Sequence, residues 1–453
     1  MDSGLGIGGH SKSVVEMTTS KLDYKSPYVR EKGVKKAYRI EDSKNTSKSG
    51  PIEFEFEADA EKFTDMETVS LKGKVGIEVK KGGVWKSVAK DSASSTTKWG
   101  LINNTFSSLF TSVVIKINDC AIGDSADNTY PYLTYLQTLL GTSASNAGSN
   151  ILEVRNFIKD KPGKMKEPDT SDTSPYGLRR QDFLDNEMVD FVIPLHNDLM
   201  TAEKYIPPNT KISFKLKKSP DEFVIWKDKS DTNEYRFVLD EVKLRFKRYE
   251  VYDDVLDEHN RDYADGKQPY KIKYTKNLLK TFTVNGGTNE LKYNNLFFGS
   301  HLPDRVYMVF VAQDAYGGDA TKNPFNFESI DMRQAYLKFS GVQYPTEAYH
   351  YEANVDEKEL YLDLLANTGT GPFEMDSVNV SFKDFKGGYF ILAFDRSPTK
   401  DNGLYLHKPL AGHMSVFVKT GTNLPCNYEV LVYGSYDSAL TFVEDKVVDE
   451  PVF

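Results

Sequence analysis

Cysteine is almost missing from this chain. Only Cys120 and Cys426 occur in 453 residues, too far apart in sequence to build a disulfide framework, so free, buried thiols in a reducing compartment are expected. No apolar run approaches the roughly eighteen residues that a membrane-crossing helix needs. The opening stretch MDSGLGIGGHSKSVVEM has no apolar segment long enough for a secretory signal, and position 2 is Asp rather than Gly, leaving myristoylation unsupported. A protein neither secreted nor membrane-spanning is expected. Positive charge is also short: 57 Lys and Arg against 66 Asp and Glu give a net charge of −9, which argues against a dedicated nucleic-acid binder.

Motifs that carry catalysis are missing too. There is no G-x-S-x-G elbow, P-loop, H-E-x-x-H or C-x-x-C. Gly4, Gly6 and Gly9 match G-x-G-x-x-G, but no strand precedes them as a dinucleotide loop requires, so they read as flexible tail. Asp257, Glu258, His259, Asp262 and Asp265 cluster without the spacing of a calcium loop and read as a solvated linker. The seven histidines stand singly, and the glycosylation triplets at Asn45, Asn103 and Asn379 read as chance. No catalytic, cofactor-binding or metal-binding residue is selected. By elimination, the chemistry of this chain is association.

What is abundant is alternation with a period of two. In IEFEFEADA, Phe54, Phe56 and Ala58 share one face and Glu53, Glu55 and Glu57 the other, the pattern of a half-buried antiparallel strand. VSLKGKVGIEVKK from Val69, VVIKIND with Val113, Ile115 and Ile117, KISFKLKK with Ile212, Phe214 and Leu216, and EVKLRFKRYE with Val242, Leu244 and Phe246 follow it. After the charged stretch 253–269 strands resume, and those at Val306–Val311 and Tyr389–Phe394 are apolar on both faces, which predicts central positions. Residues 1–50, with ten Lys and Arg against six Asp and Glu, read as a flexible basic arm. The expected organisation is all-β: an arm over 1–50, a first jelly roll over 51–252, a connection over 253–269, and a second jelly roll with a C-terminal tail over 270–453. Each roll is an eight-stranded antiparallel sandwich, with short helices in the connecting loops.

One stretch breaks the rule. In NTYPYLTYLQTLL, Tyr132, Tyr135, Leu136, Leu139 and Leu140 recur at helical spacing, Pro131 suits a first turn, and Gly141 stands where a left-handed stop is expected. This helix is expected to bury Tyr132, Leu136 and Leu140 as a plug on an open sandwich end, or to sit between the first roll and a neighbour.

The residues also resemble a family. WGLINNTFSSLFTSVVIKINDCAI from Trp99, leading into NTYPYLTYLQTLL, resembles the first-half signature of the double jelly-roll major capsid proteins of Polinton (Maverick) elements and adintovirus-like viruses. Asn103, Asn104, Ser108, Leu109, Phe110, Val113, Ile117 and Asn118 match it, as do Asn128 to Tyr132, Tyr135, Leu136, Leu139 and Leu140, while Ile115 replaces a Val. In the second half, Leu302, Pro303, Asn323, Pro324, Phe325, Phe327 and Pro345 match, then Gly388, Tyr389, Ile391, Ala393, Phe394, Asp395, Ser397 and Pro398. The resemblance runs over roughly residues 60–440, leaving out the arm and the loop Thr142–Pro175.

That resemblance implies a structural protein with no cofactor and no small-molecule substrate. It implies a homotrimer whose six sandwiches form a pseudo-hexagonal capsomer tiling an icosahedral double-stranded DNA virus shell. Penton and minor capsid or cement proteins are the implied partners, with the basic arm in weak contact with packaged DNA. The location is the virion capsid, assembled in the host cytoplasm or nucleus, and the long loops would supply outward towers and clasps between subunits. The alternatives are a lectin-like β-sandwich adhesion protein, a sandwich hydrolase, and a domesticated cellular copy of the capsid protein.

Overall fold

The computed structural model describes residues 34–45, 50–90, 98–118, 120–122, 128–146, 150–202, 204–264, 270–299, 302–352, 357–368, 378–397, 411–443 and 446–451. Over residues 34–251 the strands are β1 (Val34–Asn45), β2 (Ile52–Phe56), β3 (Lys62–Lys81), β4 (Val84–Ser87), β5 (Trp99–Leu101), β6 (Phe110–Ile117), β7 (Cys120–Ile122), β8 (Val189–Pro194), β9 (Ile212–Lys218), β10 (Ile225–Lys227) and β11 (Tyr235–Val251). One sheet runs β1-β11-β3, with β8 and β4 sharing the far edge of β3, and the facing sheet runs β2-β9-β6-β7. Alternation builds both. Phe54 and Phe56 point inward while Glu53 and Glu55 stay in water, and Glu53 and Glu55 pair with Lys215 of β9 and with Lys211 just before it on the wet face. Inside, the Phe56 ring meets Phe246 of the other sheet edge-on at 4.6 Å, so one side chain ties the two layers together.

The second half repeats the plan. Its strands are β12 (Tyr270–Val284), β13 (Glu290–Gly299), β14 (Arg305–Ala312), β15 (Met332–Phe339), β16 (Val342–His350), β17 (Leu392–Asp395), β18 (Gly412–Thr420), β19 (Tyr428–Val443) and β20 (Lys446–Pro451). One sheet runs β12-β19-β14-β17, with β20 beside the end of β19, and the other runs β13-β18-β15-β16. Read along the chain, β1, β2, β3, β6, β7, β8, β9 and β11 visit the two sheets in the same order as β12 to β19. Each half is therefore one eight-stranded antiparallel jelly roll. β4, β5, β10 and β20 are additions to that plan.

Several expectations change. Val34–Asn45, inside the stretch read as an arm, is a strand hydrogen-bonded along β11, and the first roll has only seven strands without it. Its sequence VKKAYRIEDSKN carries charge on both faces, as an edge strand tolerates, so alternation gave no sign of it. Residues 1–33, with the glycines of GLGIGG, lie outside the described residues. The linker expected at 253–269 is a helix over Asp253–Ala264. Of its cluster, the side chains of Glu258, His259 and Asp262, and all of Asp265, lie outside the described residues. β14 is central and buried on both faces as expected, whereas β17 is an edge strand. Helix Glu357–Asn367 lies over that edge, and Tyr349 and Asn367 both donate to the carbonyl of Ala393, which protects the unpaired edge. Gly141 is the last helical residue rather than a left-handed stop, and the chain leaves extended at Thr142. The two cysteines are free but not buried: Cys120 is half-buried and Cys426 exposed.

Candidate functional site: the seam between the two rolls

For a protein whose chemistry is association, the site is a surface. The best-built one joins the two halves of the chain. The helix Tyr130–Gly141 carries apolar groups on every side, and Tyr130, Tyr132, Leu133, Tyr135, Leu136 and Leu139 are all buried, with Leu140 at the margin. A helix apolar all round is an interior helix, not a plug with one wet face. Its second partner is the other half of the chain. Tyr135 stacks on Phe325 with centroids 4.0 Å apart and meets Phe327 edge-on at 5.9 Å. Tyr132 stacks on Tyr316 at 5.5 Å and meets Phe325 at 5.6 Å. The N-P-F-N-F turn of the second half thus inserts its two Phe rings against two Tyr rings of the first.

This helix explains why β14 and β19 are apolar on both faces. Met308, Phe310, Val430 and Val432 fill the core of the second roll. Tyr307, Val309, Leu431 and Tyr433 point the other way and are buried as well. The Tyr433 hydroxyl donates to Asn277 at 2.6 Å and meets Gln137 of the helix. The sheet's outer face therefore lies against the first half.

The loop after the helix closes the seam. Lys159 donates to the backbone carbonyl of Asn379 at 3.0 Å and to the Asp384 carboxylate at 2.6 Å. Its ammonium also sits 5.5 Å from the centroid of the Tyr389 ring. The Tyr389 hydroxyl donates to the carbonyl of Asp160 at 2.9 Å, and the amide of Gly163 donates to Gly387 at 2.7 Å. A Cβ at Gly387 would collide with Pro162, and one at Gly388, whose φ is +114°, would strike Met165. The two glycines let the backbones approach this closely. Within Thr142–Pro175, residues 157–166 thus bind the other half of their own chain.

Asp160 is fixed from the first roll. Ser174 caps the helix Pro175–Asp185, with Pro at its first turn. From that helix, fully buried Arg179 reaches Asp160 at 2.7 Å and donates to the carbonyls of Leu101 and Ile158. Beside Gln137 of the Tyr130–Gly141 helix, a gap of about 480 Å³ opens between His196 and Met200 on one side and Asn277, Arg305 and Tyr433 on the other. Burial, and secondarily the charge of Arg155, hold the His196 pKa down at about 4.

Sequence reading chose the helix and the N-P-F-N-F and G-Y-x-[IL]-x-A-F-D motifs, and the seam brings all three together. It missed Lys159, Asp160 and Arg179. The Ser174-Pro175 start signal for a helix carrying Arg179 was the one local cue. Among the described residues no group of three His, Cys, Asp or Glu side chains is placed to hold a metal ion, and no helix is long and apolar enough to cross a membrane.

No family model matches the chain. An uncharacterized protein of Caenorhabditis elegans is 21% identical over 414 residues, covering 89% of this chain and 94% of the relative. A chain in the cryo-EM structure of the Sputnik virophage superposes with a TM-score of 0.61 at 12% identity, over 93% of this chain and 90% of its own. The Faustovirus major capsid protein gives 0.51 at 9% identity, over 90% of each chain. The mavirus major capsid protein gives 0.50 at 13% identity, over 92% of this chain and 90% of its own. At these coverages the likeness spans both rolls. The chain is a double jelly roll, the fold it has in common with the mavirus and Faustovirus major capsid proteins.

Proposed function

We propose that this chain is a major capsid protein whose homotrimers form pseudo-hexagonal capsomers of an icosahedral shell enclosing double-stranded DNA. The observation that carries the reading is the seam. Stacked aromatics, a buried ion pair and an interior helix fix two equal sandwiches side by side. A chain that is a rigid pair of bricks is suited to tiling, since three copies supply six similar blocks around one axis. The role is structural rather than catalytic, and the place is the virion.

The motifs at Asn103–Asn118, Asn128–Leu140 and Gly388–Pro398 favour an element of the Polinton (Maverick) or adintovirus kind. The nearly full-length relative in a nematode supports an element resident in animal genomes and sustains a second reading, a domesticated copy. Penton and minor capsid proteins are the proposed partners, with a weak contact between the basic N-terminal residues ahead of β1 and packaged DNA. Native mass spectrometry of the purified chain tests the reading. A species of three chain masses supports it, and a monomer that binds sugars points instead to a lectin-like sandwich.

A further inference from the structure

The two rolls share a strand plan but not the chemistry of corresponding faces. On β14 and β19 the face turned from the core carries Tyr307, Val309, Leu431 and Tyr433, buried beneath the Tyr130–Gly141 helix. By strand order, β3 and β11 hold the same places in the first roll. Their outward face carries Lys72, Lys74, Lys243 and Arg245, alternating with core residues such as Leu71, Val75, Val242 and Leu244. Val192 of β8 lies beside Lys72 and is 40% exposed. The equivalent of a covered apolar face is thus a charged, mainly basic one around Val192, in which Lys74 pairs with Glu241 at 3.4 Å and lies beside Asp190, while Lys72 and Lys243 face each other across β3 and β11.

The covering helix also has a counterpart. Tyr130–Gly141 follows β7 and precedes β8, and Glu357–Asn367 follows β16 and precedes β17, the same connection in the second roll. Leu360 and Leu364 of that helix are buried in its own roll. Glu359, Leu362, Asp363 and Ala366, at i, i+3, i+4 and i+7, form a separate stripe, and Leu362 is 62% exposed. Glu359 and Asp363 make the stripe acidic beside Leu362, with exposed Lys358 one turn before Leu362 and Asp363 also acting on Tyr344 and Tyr349 of its own roll.

We infer that the Glu357–Asn367 helix of one copy packs on the β8-β3-β11 face of the next, opposing Glu359 and Asp363 to Lys72 and Lys243 around a Leu362–Val192 contact. The occupant is a second copy of this chain. Both surfaces complement each other in charge, and the contact repeats between chains the helix-on-sheet step already made within one. The step is head-to-tail, so it generates a ring when its rotation closes, and three chains alternate internal and external steps six times. The inference rests on the capsomer reading and assigns the surfaces that hold it together.

Four full-length proteins test it: the wild type, Lys72→Glu/Lys243→Glu, Glu359→Lys/Asp363→Lys, and the chain carrying all four substitutions. Native mass spectrometry over a dilution series reads the trimer, and melting of the dissociated chain checks that each variant folds. Each double variant is expected to dissociate at a concentration at least about tenfold higher than the wild type, because like charges then face each other. The fourfold variant, with both signs exchanged, is expected to regain trimers. A trimeric wild type whose double variants dissociate as it does, or a fourfold variant no better than the doubles, overturns this contact and leaves the capsomer reading standing. A wild type that stays monomeric removes both.

Discussion

The guanidinium of Arg179 lies 2.7 Å from the carboxylate of Asp160, with the two side chains 0% and 5% exposed. Two charges this deep are held only because their remaining groups are engaged: Arg179 donates to two backbone carbonyls, and Asn323 of the second roll approaches Asp160. Removing one partner strands the other without water. Arg179→Met and Asp160→Asn are each expected to cost about 3–5 kcal/mol. Guanidinium unfolding checks this, and a loss below 1 kcal/mol would show that the pair does not hold the loop.

The aromatic seam gives a second expectation. Tyr135→Ala removes a ring stacked 4.0 Å from Phe325 and is expected to lose about 3–5 kcal/mol, the usual result of deleting a large buried side chain. Leu136→Asp places a charge at a fully buried position of the same helix and is expected to abolish soluble trimer. Trimers of ordinary yield and melting temperature from Leu136→Asp would refute the interior placement of this helix.

Acid should weaken the seam through His196. In an unfolded chain histidine titrates near 6.5, and in the fold burial and Arg155 lower His196 to about 4. The folded protein therefore binds fewer protons than the unfolded chain between these values. The contribution is whole above pH 6.5 and is lost as the pH falls towards 4, by at most about 1.4 kcal/mol per unit. His196 as a residue is half-buried rather than fully enclosed, so the loss is expected to be smaller. Between pH 7.5 and pH 5 the wild type should lose more stability than His196→Gln, measured by denaturant titration at each pH. Equal losses would exclude His196 as the cause.

Truncation separates arm from strand. Deleting residues 1–33 leaves β1 and its pairing with β11 intact and is expected to preserve the melting temperature of the chain. Deleting residues 1–50 removes an edge of the first roll, exposes β11, and is expected to give aggregation. If both truncations melt and assemble alike, β1 contributes nothing to the fold.

The legible parts of the fold were those with a short repeat. Period-two patterns placed β2 and β9 because one face of each is wet and the other dry, and placed β6 from its last residues, since its first four are buried on both faces. The helix Tyr130–Gly141 was legible because a period near four interrupts that alternation. β1 escaped because its charges fall on both faces. The Glu357–Asn367 helix and β16 escaped because they cover an edge and bury few residues. The clasp was out of reach for another reason. Lys159 meets Asp384 from 225 positions away, and nothing local to either residue encodes that meeting. The apolar outer face of β14 was visible in the sequence as a strand with no wet side, but the helix that covers it is supplied by the other roll.

The central claim is that two sandwiches fixed side by side assemble with copies of themselves into a ring. Electron microscopy of the purified full-length protein tests it most directly. The account predicts particles of hexagonal outline with threefold symmetry and six sandwich-sized densities around the axis. Isolated two-lobed particles at every protein concentration would contradict it.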